Sequence, residues 1–175
     1  MPTSKGVQSM GITAADLMTT RIATLTPEMT LKEMDTVLVK RGVSGAPVVE
    51  IQRLVGVASE ADVVRTLWES DHEAAEIAAY YSSPYPIALP VLEKIATDSH
   101  RVSEHMTERK VRDIMTKDPL VAHPDDAIEE IAKRMVEDQI HRLPITEPET
   151  GDLVGIITSL DMAKAIMRYG LASTL

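Results

Sequence analysis

One segment of this chain is written twice. ADLMTTRIATLTPEMTLKEMDTVLVKRGVSGAPVV, from Ala15, aligns without a gap on RDIMTKDPLVAHPDDAIEEIAKRMVEDQIHRLPIT, from Arg112, at an offset of 97. Asp16, Met18 and Thr19 meet Asp113, Met115 and Thr116, while Pro27 and Pro47 meet Pro124 and Pro144. After a two-residue gap, LVGVASEAD from Leu54 meets LVGIITSLD from Leu153 at an offset of 99. A unit of about 50–55 residues is small for a core of its own, so two units are expected to pack together.

Each copy reads alike. Thr30 and Glu33 have capping-box spacing for a helix start, and Asp125 and Asp126 are expected in the equivalent first turn of copy two. Ile128, Ile131, Ala132, Met135 and Val136 follow the period of an apolar helix face. Short apolar runs at Val48–Val49 and Ile145–Thr146, then at Leu54–Ala58 and Leu153–Ile157, predict paired strands. Glu149-Thr150-Gly151-Asp152 suits the turn between them, and Glu50-Ile51-Gln52-Arg53 is less typical. Helices are expected at Glu60–Trp68 and Ser159–Arg168. The pattern is β-α-β-β-α in each copy, an α+β fold.

With no Phe, one Trp and four Tyr, the core has to be aliphatic. A net charge of −9 argues against a nucleic-acid-binding protein, which needs a basic face. No cysteine is present, which excludes disulfides, thiolate metal sites and a cysteine nucleophile. No apolar run approaches the roughly 20 residues that span a bilayer, and MPTSKGVQSM lacks the core of a signal peptide. The expectation is a cytoplasmic protein with neither membrane nor nucleic-acid partner.

Two copies headed by D-[LI]-M-T, each with a Pro-led strand and LVG-h-h-[ST]-x-x-D at the hairpin exit, resemble a tandem pair of CBS domains, a Bateman module. The resemblance implies two repeats packed through their sheets about a pseudo-twofold axis, with two clefts that hold adenine nucleotides. It further implies pairing of modules into disc-like homodimers. The expected organisation is a tail at 1–11, CBS domain 1 at 12–68, a mainly helical insert at 69–110, CBS domain 2 at 111–169 and a tail at 170–175.

Ser59-x-x-Asp62 and Thr158-x-x-Asp161 stand where a strand runs into a helix. Read alone, such a hydroxyl is most often a helix cap. The same pair also suits a ligand, because helix N-termini favour anions and a carboxylate accepts two hydrogen bonds from a ribose diol. The resemblance adds the strand-start residues and those after the D-[LI]-M-T helix. It implies one cleft with Lys117, Ile140, His141, Arg142, Ser59 and Asp62, and a second with Thr20, Val43, Ser44, Gly45, Thr158 and Asp161. Val43 and Ile140 would flank adenine, the aspartates would hold ribose, and the cations of the first set would meet phosphate. IHRLP also resembles the phosphate-contacting stretch in regulatory subunits of AMP-activated protein kinase. The competing reading of His141-Arg142 is a charged strand edge that blocks unwanted pairing.

The insert carries ESDHEAAEIAAYY, helical in pattern, and SSPYPIALP, which breaks the helix. Trp68, Tyr80, Tyr81 and Tyr85 gather in or beside it, either for contact with a partner or for packing over the module itself. His100 and His105, at i, i+5, fall on different helix faces, and His72 with Glu76 forms a pair common on surface helices, so no metal is expected. CBS pairs are often appended to enzymes such as IMP dehydrogenase, yet no nucleophile–base pair or Gly-rich phosphate loop appears here. The reading is a non-catalytic regulatory module that needs no cofactor, takes an adenine nucleotide as its ligand and acts on an unidentified protein target. The alternative is an interaction or dimerisation protein with vestigial clefts.

Overall fold

The structure, a computed structural model, describes residues 11–70 and 106–169. Its elements include six helices and five strands with defined bounds, and residues 106–108 are also helical. In chain order they are α1 (Ala14–Leu17), α2 (Leu31–Arg41), β1 (Gly45–Glu50), β2 (Arg53–Ser59), α3 (Glu60–Ser70), α4 (Val111–Ile114), β3 (Thr116–Lys117), α5 (Ile128–Glu137), β4 (Arg142–Thr146), β5 (Leu153–Thr158) and α6 (Ser159–Tyr169). The fold is α+β, with both repeats visible. Most of the expected insert, including Tyr80, Tyr81, Tyr85, His72, Glu76, His100 and His105, lies outside the described residues, as do the Trp68 side chain and nearly all of both tails.

Local chemistry explains the elements. Thr30 opens α2 as a full capping box: its Oγ1 accepts the Glu33 N–H at 3.2 Å, and Glu33 Oε2 accepts the Thr30 N–H at 2.8 Å. Gly42 closes the helix in the left-handed conformation at φ 64°. Copy two differs at its entrance. Asp125 and Asp126 lie before α5 rather than in its first turn, because the cap position equivalent to Thr30 is Ala127. Asp126 Oδ2 instead accepts the His123 N–H at 2.9 Å, and Glu129 and Glu130 supply the acidic first turn. Val136, expected on the apolar face of α5, is 77% exposed, while Ile128, Ile131 and Met135 are buried.

The chain divides into two compact units that do not coincide with the two repeats. One takes the described residues up to Ile22, the segment Gln52–Leu54 and everything described from Leu120 onward; the other takes Ala23–Ile51 and the described part of Val55–Pro119. Each unit therefore joins the body of one repeat to the head of the other. In the first unit Ile12 and Ala14 are buried among Ala122, Ile128, Ile131, Leu143, Ile145 and Ile157. In the second, Val111 and Ile114 are buried among Leu25, Leu31, Met34, Leu38 and Val48. Both cores are aliphatic, as the composition requires.

Backbone bonds fasten each head. Ala14 N–H donates to Asp126 O at 2.9 Å and Ile128 N–H to Ile12 O at 3.1 Å. In the second unit Val111 N–H donates to Met29 O at 2.9 Å and Leu31 N–H to Arg109 O at 3.0 Å. The heads also extend the sheets. β4 and β5 pair antiparallel with Pro144 opposite Ile156; Ala122 bridges Ile145 in parallel, and Thr19 bridges Ile156 antiparallel. In the second unit Leu25 bridges Val48 in parallel, β1 lies beside β2, and β3 pairs antiparallel with β2, placing Lys117 opposite Gly56.

The head motif and the LVG motif are linked physically. Gly155 lies against Met18, and a Cβ at that position would stand 2.9 Å from the Met18 Cβ and Cγ. Gly56 lies against Met115 in the same way, with Sδ 2.9 Å from where a Cβ would be. The glycine of each LVG is thus the seat for the methionine of the opposite repeat's D-[LI]-M-T.

Candidate functional site

In the first unit, β5 delivers Thr158 to the entrance of α6. The Thr158 N–H and Oγ1 donate to Asp161 Oδ2 at 3.0 and 2.7 Å, and Lys164 Nζ donates to Asp161 Oδ1 at 3.1 Å. Asp161 is 7% exposed. Burial alone would raise its pKa, but the Thr158 hydroxyl, the Lys164 ammonium and the Thr158 amide outweigh it and hold the carboxyl below its ordinary value. The result is a shielded carboxylate that stays ionised.

His141 and Arg142 stand at the start of β4, next to the end of β5. Arg142 pairs with Thr158 in the sheet register, and the Ser159 N–H and Oγ donate to His141 O at 3.0 and 3.3 Å. A cavity of about 580 Å³ opens here, lined by Met135, Val136, Gln139, Ile140, His141 and Met162 among others. Thr20 follows Thr19, whose N–H donates to Ile156 O at 2.9 Å, two residues before Thr158.

The second unit repeats the arrangement. The Ser59 N–H and Oγ donate to Asp62 Oδ2 at 2.8 and 2.7 Å, and Arg65 Nη2 donates to Asp62 Oδ1. Glu60 N–H donates to Ser44 O at 3.0 Å, the counterpart of the Ser159–His141 bond. Lys117 is exposed on β3, Val43 is 38% exposed and Gly45 is buried.

Residue by residue, then, Thr20, Ile140, His141, Arg142, Thr158 and Asp161 belong to the first unit. Val43, Ser44, Gly45, Ser59, Asp62 and Lys117 belong to the second. Each of the two sets expected from the sequence draws on both units. The hydroxyls of Ser59 and Thr158 donate to the aspartate three residues on, and the first amides of α3 and α6 are already bonded within the protein. Neither motif included Arg65 and Lys164. Their signal was present: both are basic and correspond at the offset of 99. Among the described residues no cluster of three or more His, Asp or Glu is suited to a metal, and no helix is long and apolar enough to cross a membrane.

A duplicated α+β unit with a hydroxyl–carboxylate pair at each strand-to-helix junction defines a tandem repeat. The CBS domain family model matches residues 14–69 and 111–168, and the chain belongs to the CBS-domain family as a tandem pair. It is 35% identical over 135 residues to protein MJ1426 of Methanocaldococcus jannaschii, covering 73% of this chain and 76% of that protein. It is 26% identical to protein MJ1232 of the same organism over 92% of this chain, which spans only 42% of that longer protein. Among solved structures, CBSX2 of Arabidopsis thaliana in complex with AMP aligns with a TM-score of 0.65 at 25% identity, covering 92% of this chain and all of that one.

Proposed function

We propose that the chain is a non-catalytic regulatory module that binds an adenine nucleotide and transmits a change of shape to an unidentified protein target. The observation that carries this reading is the buried, ionised Asp161, with its counterpart Asp62, each held in place at a helix entrance. Such a carboxylate accepts both hydroxyls of a ribose. Val43 and Ile140 are proposed to flank the base, and Lys117, His141 and Arg142 to meet phosphate. Ser44, Gly45 and Thr20 offer hydroxyl and backbone donors only, so Thr158 and Asp161 with that set are proposed to take a less charged ligand. The likeness to a CBSX2 structure that contains AMP supports the ligand class. Ligand acts by differential affinity for two arrangements of the module, since equal affinity would shift nothing.

The module is further proposed to work as a cytoplasmic homodimer. In the first unit Val136 on α5, and Leu160 and Met167 on α6, are 77%, 64% and 86% exposed, apolar side chains that a second copy would cover. The corresponding positions Val39 and Val136 are exposed in both units.

Calorimetric titration with AMP, ADP, ATP, S-adenosylmethionine and adenosine tests the ligand reading. At least one is expected to bind, and Asp62→Asn with Asp161→Asn to weaken it. Arg142→Ala is expected to weaken AMP about tenfold or more while leaving adenosine within about twofold, as loss of a charge-assisted hydrogen bond implies. Equal losses for AMP and adenosine would remove the phosphate role. Failure of wild type to bind any of the five would favour a purely assembling protein.

A further inference from the structure

Asp62 and Asp161 share a neighbour that the repeat motif does not contain. Three residues on, Arg65 and Lys164 project back along their helices and donate to Oδ1 of the respective aspartate. The other oxygen of each carboxylate is committed to the helix entrance through Ser59 or Thr158. Oδ1 is thus the oxygen available for a further donor, and a cation sits on it in both units.

The exposures make this contact easy to open. The aspartate side chains are 12% and 10% exposed, whereas Arg65 and Lys164 are 58% and 63% exposed. A buried acceptor is therefore covered by a side chain that is mostly in water and free to swing away. An ion pair of this kind, with one partner largely solvated, is weak. A vicinal diol supplies two O–H donors to the same carboxylate, and the displaced cation is rehydrated.

We propose that Arg65 and Lys164 are latches, released from Asp62 and Asp161 by the vicinal diol of a bound ribosyl ligand and setting the affinity for it. The proposal rests on the nucleotide-binding reading and adds two residues to it. Its consequence is chemical: a ligand with the diol competes with the latch, and a ligand lacking the diol does not.

The test is the full chain carrying Arg65→Met and Lys164→Met, which keep an unbranched stem and remove charge and donors. Adenosine and 2′,3′-dideoxyadenosine are titrated by calorimetry into wild type and variant. The variant is expected to bind adenosine about two- to fivefold tighter, the scale of one weak ion pair removed from competition, and to bind the dideoxy compound unchanged. No gain for adenosine, or an equal gain for both compounds, overturns the latch and leaves the nucleotide reading standing. Absence of adenosine binding by both proteins refutes the nucleotide reading and the latch with it.

Discussion

Replacing Gly155 by Ala probes the way the two repeats exchange their heads. The new methyl group would collide with Met18 Sδ and stand 2.9 Å from the Met18 Cβ and Cγ. Sδ and Cγ can rotate aside, but Cβ cannot, because Thr19 is bonded to Ile156 in both directions at 2.9 and 3.0 Å. Overpacking of this kind costs about 1–3 kcal/mol, and the fixed Cβ places Gly155→Ala toward the upper end. Met18→Ala, at a half-buried position, costs about 1 kcal/mol alone. Combined, the two changes should be less harmful than their sum, since the alanine at 18 vacates the space the new methyl needs; the expected coupling is about 1 kcal/mol. Gly56→Ala with Met115→Ala should recover less, because the new Cβ also meets the Thr116 carbonyl at 2.9 Å. Urea unfolding of wild type, the single variants and the double variants supplies each value. If Gly155→Ala costs under about 0.5 kcal/mol, or its effect simply adds to that of Met18→Ala, the packing of one repeat's head on the other's hairpin is wrong.

Asp161 should also mark the acid limb of stability. Its folded pKa lies below 3.8, so as pH falls the unfolded chain takes up the proton first. Its contribution is complete above 3.8 and drains away between 3.8 and the folded value; Asp161→Asn should flatten that part of a stability–pH curve measured by urea midpoints, and an unchanged slope would contradict the shift. The β1–β2 turn holds Ile51 at φ 48° and Gln52 at φ 70°, left-handed conformations that suit Asn-Gly. Ile51→Asn with Gln52→Gly should therefore stabilise the protein by about 1 kcal/mol, seen as a raised thermal midpoint; a lowered midpoint would show that the Ile51 side chain contributes something its 94% exposure conceals.

The sequence made the repeated elements legible because they rest on local signals. Thr30-x-x-Glu33, the Pro-led strands and the LVG runs each stand where their residue chemistry places them. The head exchange was not legible. Alignment at an offset of 97 establishes that Ala14 and Val111 are equivalent, yet equivalence is silent about which body each one packs against. A four-residue helix carries too few apolar positions to specify its partner through periodicity. Asp125 and Asp126 were misplaced because two acidic residues suit either a first turn or the turn before it, and the missing cap at Ala127 decided between them. Arg65 and Lys164 were readable in principle, since the repeat places both at the same distance from an aspartate.

The duplication separates what the backbone requires from what the side chains are free to vary. Val43 N–H bonds Leu38 O at 3.1 Å, and Ile140 N–H bonds Met135 O at 3.0 Å; Glu60 N–H bonds Ser44 O as Ser159 N–H bonds His141 O, both at 3.0 Å. Positions 44 and 141 are thus pinned through their carbonyls, while both side chains are exposed. The fold holds the carbonyl at each position, and copy two carries an exposed histidine where copy one carries a serine. His141→Ser should then leave the urea midpoint within about 0.5 kcal/mol of wild type, as expected for an exposed substitution outside any cap or core. Under the proposed role in binding phosphate, the same change should weaken AMP several-fold and spare adenosine. A loss of stability above about 1 kcal/mol would make His141 part of the fold instead, and the difference between the two copies would then be structural rather than a choice of ligand.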